Sequence, residues 1–547
     1  MQIKEVMCRQ GAVSSAHPLA TSVGLSVLQD GGNAVDAAIA MAAATSVLMP
    51  HMCGPGGDAF ILIYDAASGR TTAIMGSGQA PRAATRQAIL DRGYGPKMPL
   101  FGALSVAVPG AVDAWFTALR LFGSRPASEL FAPAIRYARE GVPLSRDPAG
   151  TIETAAARLA KNPAAAAIYL KPDGTAPAPG DILVESDLGA SLEELARHGP
   201  DTFYRGDLAA AIVRCMEEEG GLISAEDLAE HKTEVDEPLS VNYHGYRVVT
   251  PRIPSQGLIL LEELAIAEGF DLAGMGFGSV DAIHYMVESK KLAFADRLAY
   301  AGDPRFVNVP LSGLLSPRYA AVRGFHIRAE TTVERLPKAP HGNPWAFEGP
   351  AEGDTTSFVV VDAKGNAVSF IHSLSLVFGS GVVVPGTGIL LNNRAGRGFT
   401  LEPGHPNVIA PGKKTMHTLL CYLVLDGDGR PYLVGGTPGG DGQPQWNFQT
   451  IVNILSFGLS PADAVTVPRW TSSPGTDPAT FDSPVELRIE DRIAVDTITG
   501  LTARGHTVKA VGPWAAGGNV QLIRIDPKTG VRTAVSDPRG SGAAAGY

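Results

Sequence analysis

Cysteine is scarce. Four residues (Cys8, Cys53, Cys215, Cys421) are spread over 547 positions, with no CxxC pair. That excludes a disulfide framework and a thiolate zinc site, and makes a reducing cytoplasm the expected compartment. Charge is sparse too: Asp, Glu, Lys and Arg are 18% of the chain and the formal net charge is −10. No run of Lys or Arg forms a stripe, so neither nucleic acid nor an anionic membrane is an expected partner. The apolar stretch Ala34 to Met49 is Ala-rich and interrupted by Asp36. It falls short of the ~20 residues that span a bilayer. The opening MQIKEVMCRQGAVSS carries no apolar core of a secretory signal, and none is expected. HExxH, GxSxG and GxxxxGK[ST] are all missing. GPGG at 54–57 lacks the spacing of a dinucleotide fingerprint and reads as a tight turn. The twelve His are scattered, and a lone one such as His51 reads as structural.

What is present is a packed chain with many turns. Apolar residues are 45%, with 63 Gly and 41 Pro. The length allows three or four domains or one large α/β unit. Residues 18–50 read as two helices parted by Gly31-Gly32, with Asn33 as N-cap and Asp36 in the first turn. CGPGGD follows, then strands at Ala59–Tyr64 and about Thr71–Met75. Residues 110–300 are mostly helical by pattern, as at Leu188–Arg197, Asp207–Glu219 and Asp281–Ala299, with one strand-like run at Tyr246–Thr250. Residues 329–353, rich in Pro and Gly without periodicity, read as an exposed, flexible loop. Beyond them the pattern turns to β. Phe358–Asp362 and Ala367–Ser373 form one hairpin; Leu419–Leu425 and Pro431–Gly435, joined by Asp426 to Gly429, form another.

Hairpin register assembles a site. Pairing Asp362 with Ala367 puts Thr355 beside Ser373. Pairing Leu425 with Pro431 puts Thr418 opposite Pro438, so that His417 and Thr418 lie beside Gly439-Gly440. TPGGDG (437–442) offers consecutive N–H groups unobstructed by side chains, as an oxyanion hole requires.

These residues carry a resemblance. GGNAVDAAIA (31–40), FYRGDLAAAIV (203–213), GGLISAEDLAEHK (220–232), KLAFADRLAYAGDP (291–304), DTTSFVVVDAKGNAVSF (354–370), GILLNN (388–393) and LVGGTPGG (433–440) occur in the order seen in the γ-glutamyltranspeptidase family of N-terminal-nucleophile hydrolases. The chain resembles that family over nearly its whole length, particularly its acylase and oxamate-amidohydrolase branch. The resemblance implies a four-layer αββα sandwich (class α+β) built jointly by two autoproteolytic fragments. Cleavage between Asp354 and Thr355 would give a large chain 1–354, ending in the loop 329–353, and a small chain 355–547. Thr355 would then be the nucleophile and its own α-amine, titrating near about 8, the general base. Ser373 matches the position that hydrogen-bonds the nucleophile, usually Thr; Gly439 and Gly440 match the oxyanion donors.

Departures from the family pattern point to the substrate. Where γ-glutamyl enzymes hold the substrate α-carboxylate with Arg, this chain has Ser77 in SGQAP. The acidic residue that holds the α-amine is matched by Arg397 in RAGRGF. At ~4 Å and an effective dielectric near ~20, that reversal is worth a few kcal/mol against an ammonium. Ser375 replaces an Asn, and His417 and Thr418 replace a serine pair. The Arg397–His417 connection is shorter than in relatives with a full lid, which implies a more open site.

Arg394 and Arg397 therefore suggest an acyl group bearing a carboxylate and no amine. The expected activity is hydrolysis of a small carboxylate-bearing amide of the oxamate type, with acyl transfer as a side activity. The alternatives are glutathione hydrolysis or γ-glutamyl transfer, a glutaryl (cephalosporin) acylase, and an unprocessed binding protein. No metal or cofactor is implied. The two fragments should stay associated, as a dimer or tetramer of processed units.

Overall fold

The strand Asp58–Asp65 shows how the layers arise. Ala59, Ile61 and Ile63 point into a cluster of helices, while Phe60, Leu62 and Tyr64 point the opposite way, toward a second sheet. Successive side chains leave a strand on opposite faces, so an apolar run buried on both faces marks an inner layer. In the computed structural model, the described residues are 5–333, 339–347, 358–478, 481 and 483–547.

The sandwich strands, in chain order, are β1 (Val6–Cys8), β2 (Ala12–Ser15), β3 (Asp58–Asp65), β4 (Arg70–Gly76), β5 (Glu234–Asp236), β6 (Leu239–Tyr243) and β7 (Tyr246–Thr250). They continue as β8 (Val359–Val361), β9 (Ala367–Ser373), β10 (Cys421–Leu425), β11 (Pro431–Gly436), β12 (Gln521–Ile525), β13 (Arg532–Ser536) and β14 (Ala543–Gly546). They form two 7-stranded antiparallel sheets, ordered β1-β13-β12-β11-β10-β7-β6 and β14-β2-β8-β9-β3-β4-β5. Each sheet mixes strands from before residue 334 with strands from after 357. Neither part alone could complete either sheet.

Helices cover both outer faces. On the β3 side lies Ala34–Leu48, all of whose residues are buried. Its start is set by a capping box between Asn33 and Asp36, as the N-cap reading expects. On the β10 side, Gly257–Ala267, Val280–Tyr300 and Gly442–Leu455 pack against Leu420, Tyr422 and Val424. The αββα sandwich expected from the sequence is therefore observed.

Three details differ from expectation. Both hairpin registers shift by one residue. Val361, not Asp362, pairs with Ala367. Leu425 does pair with Pro431, but an irregularity between Val424 and Leu425 moves the next pair to Val424–Leu433. The mostly helical stretch 110–300 holds four further strands, the short pair Val142–Pro143 and Ile182–Leu183 and the sandwich strands β5 and β6; β6 pairs antiparallel with β7 across His244-Gly245. Finally, the described part of 329–353 is exposed at Glu330, Thr331, Pro340, His341, Asn343, Trp345 and Ala346, as expected, but it is also anchored. Tyr300 donates to Gly342 O at 2.6 Å, Gly342 N–H donates to Asp296 at 2.8 Å, and Pro344 is buried. All four cysteines are buried, and no disulfide joins them among the described residues. Among the described residues, no helix is long and apolar enough to cross a membrane.

Candidate active site

The site gathers at one end of the two sheets. β9 ends at Ser373, opposite Asp58, the first residue of β3. The turn ahead of β3 packs so closely that a Cβ on Gly56 would lie 2.1 Å from Leu390 O and one on Gly57 2.5 Å from Ser373 O. GPGG is thus a structural turn, as read from its spacing. Asn392 fastens it by donating to Gly56 O at 2.9 Å and Ala107 O at 3.0 Å. Asn393 donates to Leu100 O at 2.7 Å and accepts from Leu376 N at 2.9 Å. These contacts make the LLNN asparagines supports for the short helix Arg394–Gly398.

That helix buries both arginines. Arg394 is ion-paired to Asp58 at 3.1 Å, with the two side chains 1% and 0% exposed. Its Nη1 donates to Thr418 Oγ1 at 3.2 Å, while the buried Nη2 has no partner among the described residues. Burial raises the Asp58 carboxyl above its usual range, with Arg394 opposing the shift. Arg397 is paired with Asp477, and its Nη1 donates to Ser375 O. A cavity of about 20 Å³ lies among Arg394, Arg397, Asn407, Thr418 and Asp477, enough for one water. Leu298, His405, Thr476 and Pro478 line both it and a cleft of about 890 Å³ walled by Met98, Leu100, Phe399 and Leu401.

Ser373 Oγ accepts the Ser375 N–H at 2.9 Å, and Ser375 itself sits at φ +86°. His417 is fully buried against Phe60, with ring centroids 4.9 Å apart, and its Nε2 lies 3.6 Å from Asp58. Burial, then Arg394, hold its pKa well below the usual imidazole range, so it is neutral.

Gly439 and Gly440 follow β11 after Thr437 and Pro438, at φ +132° and +56°. A Cβ on Gly439 would lie 2.1 Å from Trp446, and one on Gly440 2.4 Å from Arg397 Nη2, so only glycine fits either position. Gly439 O accepts from Gly442 N at 3.0 Å and Gly440 O from Gln443 N at 3.1 Å. Among the described residues, the N–H groups of Gly439 and Gly440 donate to nothing. The loop also opens the helix Gly442–Leu455, whose positive dipole end favours negative charge there. Asp354 and Thr355 lie outside the described residues.

Residues 20–547 match the family described as Gamma-glutamyltranspeptidase. The chain belongs to this family. It is 37% identical over 546 residues to the glutathione hydrolase-like YwrD proenzyme of Bacillus subtilis (strain 168), covering 99% of each chain. It is 35% identical over 543 residues to the oxamate amidohydrolase proenzyme of Klebsiella pneumoniae, covering 98% of each. The cephalosporin acylase from Bacillus halodurans superposes with a TM-score of 0.91 at 35% identity, over 100% of this chain and 97% of that one. This γ-glutamyltranspeptidase-family chain is an enzyme, a hydrolase of amide bonds.

Several residues that build this family member's site escaped sequence reasoning: Asp58, Gln256, Arg297, Asp441 and Asp477. Arg297 donates to Asp441 at 2.7 Å and to Gln256 Oε1 at 2.9 Å. Asp441 also accepts the N–H groups of Thr476 and Asp477 at 2.6 and 2.7 Å. Two of the acids had a signal in the sequence, since Asp58 and Asp441 each follow a glycine pair directly. Away from the site, His284, Glu288 and His506 bring three metal-ligand atoms within 4.8 Å. Those atoms are already used: His284 Nδ1 meets His506 Nε2 at 2.8 Å, and Glu288 takes Lys291, Thr332 and Val333. The Lys291 ammonium supplies the charge on Glu288 that a cation would, so the cluster works as a tie between the helix Val280–Tyr300 and residues 328–333.

Proposed function

We propose that the chain is a self-activating amidohydrolase that cuts a small carboxylate-bearing amide, oxamate being the simplest, through a Thr355 acyl-enzyme. One observation carries the substrate reading: the buried Arg394 guanidinium keeps an unpartnered Nη2 beside Arg397 and the water-sized cavity. Asp58 accepts from Arg394 Nε on one oxygen and from Gly78 N–H on the other. A guanidinium thus reaches the neighbourhood of Ser77, where the family pattern has its own arginine, from a different element. Asp58 and Asp477 balance the charges of Arg394 and Arg397, so the preference rests on the free Arg394 Nη2, a donor that a carboxylate can accept and an ammonium cannot.

In this reading Asp354–Thr355 is the self-cleavage bond, giving chains 1–354 and 355–547. Continued upstream, the β8–β9 register would bring Thr355 opposite Ser373, whose hydroxyl would hydrogen-bond the nucleophile. The Thr355 α-amine takes the hydroxyl proton as Oγ1 attacks the amide carbon. The N–H groups of Gly439 and Gly440 receive the oxyanion, the C–N bond breaks, and the amine leaves with the proton. Water then attacks the ester, releasing the acid and restoring Thr355. Arg394 and Arg397 bind the acyl carboxylate, with Ser375, His417 and Thr418 lining its pocket. The processed chains remain associated because both sheets need strands from each. The four buried cysteine thiols, with no disulfide between them, support a cytoplasmic setting.

A second reading, a glutaryl-type acylase, is favoured by the apolar cleft of about 890 Å³, far larger than oxamate fills. Intact mass of wild type beside Thr355→Ala tests self-cleavage. In proportion to 57.0 kDa, wild type should give fragments of about 37 and 20 kDa and the variant one full chain. Ammonia release from oxamate against aniline release from a glutaryl anilide then separates the two readings. An uncleaved wild type would refute self-activation.

A further inference from the structure

Gln256 is the last residue before the helix Gly257–Ala267, and its side chain makes no cap to that helix. It is fully buried and turned toward the glycine loop instead. Its Nε2 donates to Thr418 O and, at 2.9 Å, to Gly440 O. Its Oε1 accepts from Arg297 Nη1 at 2.9 Å. A guanidinium can only donate, so Arg297 fixes which end of the amide faces it. Both N–H groups are then left for the two carbonyls. Arg297 is itself oriented by Asp441, and Asp441 by the N–H groups of Thr476 and Asp477.

The Gly440 carbonyl belongs to the peptide that leaves Gly440, and the Gly439 carbonyl to the peptide that enters it. The entering plane is tied by Gly442 N. The leaving plane is tied by Gln443 N and by Gln256. Two adjacent glycines have wide backbone freedom, and an oxyanion donor must hold its place to within about 0.5 Å. A clamp from outside the loop meets that need. It also joins the loop to Thr418, whose hydroxyl receives Arg394.

We propose that Gln256 is a positioning residue for the oxyanion loop: oriented by Arg297, its amide locks the Gly440 carbonyl to that of Thr418 and so holds Gly440 with its N–H aimed at the reacting carbonyl. This rests on the assignment of those glycines under the proposed function. The clamp acts on the transition state, so its loss should appear in kcat and not in KM.

The test compares wild type, Gln256→Met and Gln256→Glu, each first checked for self-cleavage by intact mass. The substrate is whichever of oxamate and the glutaryl anilide wild type hydrolyses faster. Displacing a reacting group by ~1 Å costs about 100-fold. Gln256→Met should therefore lose about 10- to 100-fold in kcat with KM within about threefold. In Gln256→Glu an acceptor faces two carbonyls, so kcat falls at neutral pH. Its activity relative to wild type should then rise toward acid pH, as the introduced carboxyl takes up a proton and regains a donor. A residue with only a packing role would give no such pH-dependent recovery. If Gln256→Met misfolds, Gln256→Glu carries the test alone. Variants within about twofold of wild-type kcat, a KM-only effect, or a flat pH ratio would overturn the clamp while leaving the proposed function standing. A self-cleaved wild type that hydrolyses neither amide would overturn both.

Discussion

Replacing Gly439 by alanine tests the oxyanion loop with a single methyl group. The residue sits at φ +132°, a region side chains rarely adopt. Holding alanine there costs about 1–3 kcal/mol. The methyl would also lie 2.1 Å from Trp446 Cζ3. Ordinary carbon contacts begin near ~3.5 Å, so something must move by more than ~1 Å. Trp446 is poorly placed to give way: it is 7% exposed and its Nε1 donates to Thr471 Oγ1 at 2.8 Å. The loop should move instead, carrying the Gly440 N–H out of line. Losing one oxyanion donor costs about 10²–10³ in kcat, or ~2.7–4 kcal/mol. Gly439→Ala should therefore lower kcat for amide hydrolysis by at least about 100-fold with little change in KM. Adding Trp446→Leu should relieve the collision but not the backbone strain, so the double variant should regain part of the loss. A kcat within threefold of wild type for Gly439→Ala would refute the loop as the oxyanion hole. Full recovery in the double variant would show that the positive φ is not itself a constraint.

Two stability predictions follow from buried charge. Asp58→Asn leaves the Arg394 cation buried without its partner, a loss of about 3–5 kcal/mol. With an unfolding entropy near ~2.1 cal/mol/K per residue over 547 residues, that is a fall of about 3–4 °C in Tm by calorimetry; an unchanged Tm would refute the pairing. Glu185, 2% exposed with Oε1 unpartnered, is pushed by burial from 4.5 up to about 8. The folded chain thus binds the extra proton between pH 4.5 and about 8, so Glu185 makes stability fall as pH rises through that window. Glu185→Gln should leave Tm unchanged near pH 4 and raise it at pH 8, whereas an equal effect at both would count against a buried neutral acid.

The layers were legible because strands buried on both faces read as short continuous apolar runs, as in Ala59–Tyr64 and Leu419–Leu425. Register was legible only to within a residue. The irregularity between Val424 and Leu425 leaves no compositional mark, yet it shifts every later pair in the hairpin. The helix Ala34–Leu48 is apolar all round, so its caps and not its periodicity revealed it. Arg394 and Arg397 stood out because they replace other residues in a familiar motif. Their partners did not, since Asp58 and Asp477 lie 336 and 80 positions away. Gln256, Arg297 and Asp441 come from three segments that meet only in the folded chain, so no spacing rule could group them.

The interleaving of early and late strands bears on how the protein is made. β2 lies between β8 and β14, and β1 pairs only with β13, so Val6 finds its partner at Ala534. While the ribosome is still delivering the second half, β2 has neither neighbour, and its open edges are the kind that capture other chains. Contacts between the two ends of so long a polypeptide form slowly. Assembly of the sandwich must therefore await the last residues of synthesis. In the cell, the interval between translation and sheet closure is where this protein should depend most on chaperones.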